Sequence, residues 1–175
     1  IRFVGSFLQS NYENFGEMRT LGADVDIKYD LTSTLYLYAN ATYQDLRDTR
    51  NYEAGSTVKN PTKGDRMPNI PYFYYNAGIE FHKENLFGGN AQQSKLYFEN
   101  SFVEEYFYDF EQSIHQKRRI PQASVFNAGL EHSFNNKRLI IGLQINNIFD
   151  EKIITVFNRP MPGRTAGLKL RYILR

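Results

Sequence analysis

Apolar and polar residues take turns along most of this chain, the mark of strands whose two faces meet different surroundings. In the first clear run Leu21, Ala23, Val25, Ile27 and Tyr29 share one side, and Gly22, Asp24, Asp26 and Lys28 the other. The next sets Leu35, Leu37, Ala39, Ala41 and Tyr43 against Tyr36, Tyr38, Asn40, Thr42 and Gln44. A third opposes Phe73, Tyr75, Ala77, Ile79 and Phe81 to Tyr74, Asn76, Gly78, Glu80 and His82. In a fourth, Leu96, Phe98, Phe102, Tyr106 and Tyr108 face away from Lys95, Glu99, Ser101 and Glu105, with Asn100 and Glu104 intruding on the apolar side. Phe126, Ala128, Leu130 and Phe134 then oppose Asn127, Gly129, Glu131 and Ser133, and His132 sits among the apolar residues. Leu139, Ile141, Leu143 and Ile145 oppose Gly142, Gln144 and Asn146; Leu168, Leu170, Tyr172 and Leu174 oppose Gly167, Lys169 and Arg171. With a partial strand at Phe3 to Leu8, the pattern predicts about eight strands.

The polar sides mix Gly, Asn, Gln, Ser and Tyr with single charges, which suits a wet lumen as well as the outside of a soluble sandwich. Strand length adds to the case. Twelve residues at ~3.3 Å span roughly 40 Å, enough to cross a ~25 to 30 Å apolar layer at a tilt of ~40°. The connections also alternate. Asp30 to Ser33 and Asn135 to Lys137 are short, Asn85 to Gln93 is intermediate, and Asp48 to Ile70, Asp109 to Arg119 and Asp150 to Pro162 are long. Short turns on one side and long loops on the other are the plan of a membrane barrel. With a periplasmic C-terminus, the long loops fall outside the cell.

Composition sharpens this picture by exclusion. No apolar run approaches the ~18 residues of a membrane helix, whereas barrel strands alternate and keep bulk hydropathy low. Aromatics reach 15%, as 13 Tyr and 14 Phe with no Trp. A net charge of +2 with interspersed signs argues against a nucleic-acid partner, and the absence of cysteine removes disulfides and thiolate metal sites. The start, Ile1-Arg2-Phe3-Val4-Gly5, reads as the middle of a strand, so a fragment or processed chain is expected.

Four stretches resemble one family, the TonB-dependent outer-membrane receptors. Ile145-Asn146-Asn147-Ile148-Phe149-Asp150 is similar to that family's strand ending in Asn, an aliphatic residue, Phe and Asp, and Pro162-Gly163-Arg164 to the opening of its last strand. Asn14 to Asp24 resembles its Gly-x-Glu strand entry, with Asp24 where Glu is usual, and Met67-Pro68-Asn69-Ile70-Pro71 resembles a Pro-x-x-Pro lead-in. The resemblance implies an all-β, antiparallel up-and-down transmembrane β-barrel. Residues 1–175 would be its C-terminal part, the last seven or eight strands of about 22, with the plug domain and earlier strands absent. It implies TonB-coupled uptake in a Gram-negative outer membrane, of a ferric siderophore first and of haem, cobalamin or a glycan otherwise. TonB would act through the missing N-terminal region. Thr165, Gly167, Leu170 and Tyr172 fit the family's assembly signal, introduced by Gly163 and Arg164. The ending departs from it, since Arg175 stands where an aromatic residue is usual.

From the residues themselves, Gly163 is expected to supply a positive φ, and Pro160 and Pro162 to stop a ladder from extending. The alternation places Asp24, Asp26, Glu80, Glu99, Glu131, Lys169 and Arg171 on the lumen face. His115, Lys117, Arg118 and Arg119 form the one basic cluster; it reads either as an attractor of an anionic ligand or as a solvated loop touching lipopolysaccharide phosphates. Tyr72, Tyr74, Tyr75, Tyr106 and Tyr108 read as interfacial girdle residues, with ligand stacking as the other reading. His82, His115 and His132 lack metal-ligand spacing, and Glu104 and Glu105 point to opposite faces, so no cofactor, metal site or enzyme is expected. The competing architecture is a complete eight-stranded barrel, membrane-embedded or soluble and lipid-binding.

Overall fold

A computed structural model of the chain describes residues 2–6, 9–13, 16–53, 55–110, 119–156 and 159–174. All regular elements among the described residues are strands. Among the described residues, β1 (Arg2–Ser6) and β2 (Gln9–Glu13) pair with each other and with no other strand. β3 (Met18–Thr32), β4 (Leu35–Asp48), β5 (Phe73–Glu84) and β6 (Gln93–Val103) follow; β7 (Tyr106–Phe107) and β8 (Arg119–Ile120) make a small ribbon. After β9 (Ala123–Phe134) and β10 (Leu139–Asn146), a second ribbon, β11 (Ile154–Val156) and β12 (Arg159–Pro160), precedes β13 (Thr165–Tyr172).

The seven long strands form one antiparallel sheet in the order β13-β10-β9-β6-β5-β4-β3, an up-and-down meander. Its register turns the alternation into rows. Tyr29, Leu37, Ile79, Phe98, Ala128, Ile145 and Ala166 oppose one another across all seven strands. Leu35, Phe81, Leu96, Leu130, Leu143 and Leu168 make the next row. A slip of one residue would turn an apolar set to the other face, so the pattern itself holds the register. On β5 the apolar side runs from Phe73 to Phe81, roughly 26 Å along the strand or about 20 Å along the normal at ~40° of tilt.

Polar residues on this side find partners on neighbouring strands, although His132 Nε2 is buried without one. Asn100 donates to Ser124 Oγ at 3.0 Å and to the Val125 carbonyl at 3.1 Å. His132 shares a 2.8 Å hydrogen bond with Ser94 and is flanked by Phe87 and Phe134 at ring separations of 5.2 and 4.3 Å. Aromatic rings gather towards the ends of the rows. Tyr75 stacks on Phe102 at 5.2 Å near one end, and Phe87, Phe134 and Tyr172 lie near the other.

The connections at one end are short: Ser33-Thr34, residues 85–92 and residues 135–138. The last turn holds Asn135, Asn136 and Lys137 at φ of 50°, 52° and 67°, a conformation that Asn tolerates better than most residues. At the other end, residues 49–72, 104–122 and 147–164 are long.

Three expectations are corrected. The partial strand at Phe3 to Leu8 does not join the sheet as an eighth strand: Arg2 to Ser6 fold back on Gln9 to Glu13, and Phe7 and Leu8 lie outside the described residues. The strand carrying Leu96 ends at Val103 rather than at Tyr108, because Tyr106 turns into a buried cluster above the sheet. Nor do β3 and β13 pair with each other, so among the described residues the sheet is not a closed eight-stranded barrel.

Candidate functional site

Asp24, Asp26, Glu80, Glu99, Glu131, Lys169 and Arg171 all lie on the face opposite the apolar rows. Their register partners are Thr42, Asn40, Tyr36, Gly78, Lys95, Gly142 and Ile140. A recurring arrangement joins them, in which a long side chain crosses a glycine to reach the second strand over. Tyr38 passes over Gly78 and donates to Glu99 at 2.9 Å, and Glu99 also accepts from Asn127 at 3.0 Å. Lys169 reaches over Gly142 to Glu131 at 3.2 Å. Tyr97 covers Gly129 in the same manner. A Cβ at Gly78 or Gly129 would collide with these rings, so glycine is required by close approach. Glu80 pairs with Lys95, Thr42 donates to Asp24 at 2.6 Å, and Asn76 to Asn40 at 3.0 Å. This wall is a fixed, hydrogen-bonded polar surface. Near the short turns it borders a cleft of about 510 Å³ lined by Glu80, His82, Lys95, Glu131, Lys137 and Arg171.

The long loops pack together into a shelf. Tyr72, Tyr106 and Ile120 form its buried core, with Val103, Phe107, Tyr108 and Ile154 against it. The Tyr106 hydroxyl donates to the Thr155 carbonyl at 2.8 Å, tying the second long loop to the third. Tyr72 and Tyr106 are therefore core residues, not the girdle residues their place near strand ends suggested. Tyr74 lies on the polar face, and Tyr75 alone of the five is placed on the apolar rows.

The loop after β4 is organised around one fully buried carboxylate. Asp48 accepts from the Arg50 backbone at 3.0 Å, from the Arg50 guanidinium at 3.0 and 2.7 Å, from Asn60 at 2.9 Å and from Thr62 at 2.8 Å. Burial alone would raise its pKa, but the hydrogen bonds from Arg50, Asn60 and Thr62 outweigh it and hold the group down at about 2. A loop rich in Gly, Pro and charge thus takes a defined shape.

The ends of β10 and β13 are joined by a third network. Asn147, buried and at φ 53°, receives the Glu151 N–H at 2.8 Å and donates to the Glu151 carbonyl at 2.9 Å. Its own N–H donates to the Asn127 side chain at 2.9 Å. Asp150 accepts the Arg164 N–H at 2.7 Å, and Arg164 also reaches the Ile148 carbonyl at 3.4 Å. Gly163 is not at positive φ, contrary to expectation; a Cβ there would strike the Asp150 carboxylate. Pro160 does not stand clear of pairing either, since it lies opposite Ile154 in a loop ribbon where no sheet neighbour needs its N–H. Thr165 accepts from Asn146 at 3.2 Å, Gly167 lies opposite Gln144, Leu170 opposite Ile141 and Tyr172 opposite Leu139.

Of the basic cluster, His115, Lys117 and Arg118 lie outside the described residues. Arg119 donates to Glu105 at 2.7 Å and lies 4.6 Å from the centre of the Phe107 ring. Asp48 escaped sequence reasoning because it looked like an ordinary loop polar residue, and Asn147 was noted only as part of the strand-ending stretch, without the hydrogen bonds it makes. Their signal was short: Asp-x-Arg after a strand, and Asn-x-x-Asp closing one. Among the described residues no group of three or more His, Cys, Asp or Glu side chains could hold a metal ion.

A meandering sheet with an apolar and a hydrogen-bonded polar face, capped at one end by packed loops, invites comparison with known proteins. Residues 2–148 match the family described as TonB dependent receptor-like, beta-barrel. The fold is similar to the crystal structure of the siderophore receptor PiuA from Acinetobacter baumannii, with a TM-score of 0.66 and 18% identity. The match covers 87% of this chain and 21% of that receptor, so the chain spans about a fifth of its length. No curated relative matches the sequence. The row-forming strands, the loop shelf and the match over most of the chain have one reading: this protein belongs to the TonB-dependent receptor β-barrel family.

Proposed function

We propose that residues 1–175 form the C-terminal part of an outer-membrane receptor barrel of about 22 strands that imports a scarce nutrient by coupling to TonB. The observation that carries this reading is the unbroken apolar row across seven strands, backed by a polar face and with every long connection at one end of the sheet. A wall of this kind meets lipid on one side and a wet lumen on the other. The apolar rows face lipid, Glu80, Glu99, Glu131, Lys169 and Arg171 line the lumen, and the shelf stands outside the Gram-negative cell. TonB acts through an N-terminal region beyond this segment, and the outer-leaflet neighbour of the shelf is lipopolysaccharide.

The family is one of receptors and transporters rather than enzymes. A ferric siderophore is the cargo best supported, because the structural neighbour is a siderophore receptor. His115, Lys117 and Arg118 are the remaining candidates for attracting an anionic chelate; Arg119 serves that purpose less well, since Glu105 already occupies it. Growth of a strain lacking the full-length receptor tests the cargo, with single ferric siderophores as iron source. Loss of growth on one chelate, restored by the gene and only with TonB present, is the expected result. Normal growth on every chelate, with failed uptake of haem, cobalamin or a glycan, would sink the siderophore assignment.

A further inference from the structure

The apolar face ends, on the side of the long loops, in a row of arginines. Arg19 of β3 is the direct ladder partner of Arg47 of β4, and Arg47 is bridged in turn to Arg66 of the 49–72 loop. Arg19 and Arg47 share the side of the sheet that carries Leu21 and Tyr43, an even number of residues away. Arg66 joins them there, because it and Arg47 meet on one carboxylate: Asp45 accepts from Arg47 Nε at 2.7 Å and from Arg66 Nε at 3.2 Å. Arg47 also donates to the Gly64 carbonyl at 2.9 Å, and the Arg66 guanidinium lies 3.9 Å from the centre of the Tyr72 ring. Arg19 is exposed and, among the described residues, has neither ion pair nor hydrogen-bond partner.

Like charges directly opposite on a ladder destabilise it. Arg47 and Arg66 share the Asp45 carboxylate, and Arg19 brings a further exposed guanidinium to the row. All three are arginine, whose planar fork matches a phosphate in two-point hydrogen bonding as lysine does not. The level in the fold also matters. Arg47 stands four residues beyond Tyr43, roughly 13 Å along the strand and about 10 Å along the normal at ~40° of tilt. That lies past the aromatic end of the apolar band, within reach of the polar headgroup layer, which adds ~5 to 8 Å to each side of the hydrocarbon.

We infer that Arg19, Arg47 and Arg66 form a binding site for the phosphate groups of a saccharide-headed membrane lipid in the leaflet on the long-loop side. The inference rests on the reading that the apolar face meets lipid, and it gives the outer-leaflet partner a defined address. Asp45 and the Tyr72 ring preset two of the guanidiniums, so little side-chain freedom is lost when a phosphate arrives. Arg19 supplies the third, uncommitted fork.

The test uses the full-length receptor in nanodiscs, with phosphorylated lipid A and its dephosphorylated form as competing probes. The wild type is expected to hold the phosphorylated form at least about tenfold more tightly, the effect of one or two charge-assisted hydrogen bonds. Arg19→Glu should remove about tenfold of that preference and Arg19→Lys only part of it, while Lys83→Glu at the short-turn end leaves it unchanged. Equal binding of the two lipids, or an unaltered preference in Arg19→Glu, overturns the site. Full displacement by inorganic phosphate alone overturns the lipid assignment. A fluorophore at Ala39→Cys, on the apolar face, separates the two levels of the argument. Quenching there by brominated lipid together with phosphate-blind binding sinks the site alone; no quenching sinks the membrane orientation and the site together.

Discussion

The sheet and the loop shelf solve opposite problems with the same alphabet. Across the sheet, apolar residues are left uncovered: Leu143 is 55% and Leu168 74% exposed. In the shelf the rule is reversed, and Tyr72, Tyr106 and Ile120 are 3%, 7% and 2% exposed. Charges change sides as well. Asp48 and Arg50 are buried in the shelf as a hydrogen-bonded pair, whereas Asp26 and Lys28 of the sheet lie open. One part is thus built as a small water-soluble core and the other as a wall whose core is its surroundings. Exposure alone misreads the second part; the rows show that its apolar surface is organised rather than accidental.

Changes that treat the two regions alike should break this contrast. The largest effect is expected from Ile145→Arg in the middle of the apolar rows, at about 2–4 kcal/mol of barrel stability, while Gln144→Arg on the polar face costs little. Urea unfolding of the full-length protein in detergent or bilayer measures both. Equal costs for the two would mean that the apolar face does not meet lipid.

In the shelf, the folded pKa of Asp48 is depressed to about 2 from the ordinary 3.8. A carboxylate held down stabilises the fold above its unfolded pKa, and that contribution is lost as pH falls from about 4 through about 2. The loss is on the order of 2 kcal/mol and local to the 49–72 loop. Hydrogen exchange of that loop should rise across this window in the wild type and be flat in Asp48→Asn, which is open at every pH.

At the junction between sheet and shelf, Asn147→Ala removes the two side-chain hydrogen bonds to the Glu151 backbone and leaves the backbone N–H bond to Asn127, with an expected cost of about 1–3 kcal/mol. Thermal unfolding reads it, and increased proteolysis between residues 147 and 164 should accompany it. The smallest effect is expected within the wall. Gly78→Ala pushes the Tyr38 ring off its seat and loses the bond to Glu99, at about 1 kcal/mol or somewhat more. The double change with Tyr38→Ala should recover most of that cost, and a change that stays additive would show that the ring does not need the glycine.

Much of the sheet was legible in the chain because period-two alternation is a local property that survives without tertiary information. The strands around Val25, Ala39, Ala77, Ala128 and Leu143 were found in this way, and each apolar position fell on the common face. The shelf was not legible for the same reason. Tyr106 continues the parity of Leu96, Phe98 and Phe102, so only the turn at Glu104-Glu105 reveals that it has left the strand. Gly163 was seen as a required glycine, yet the requirement is a carboxylate from thirteen residues earlier, Asp150, rather than a backbone angle. Asn100 and His132 looked like errors in the pattern until Ser124 and Ser94, on neighbouring strands, supplied their partners.

By itself the sequence determined where the long strands of the sheet lie, which face of each is apolar, and which end carries the long connections, because spacing along the backbone settles all three. Tertiary structure alone decided which strands are neighbours, how Tyr38 and Lys169 cross glycines to reach Glu99 and Glu131, and that Arg19, Arg47 and Arg66 stand in one row. Those facts depend on register between segments far apart in the chain, and register is a property of pairs.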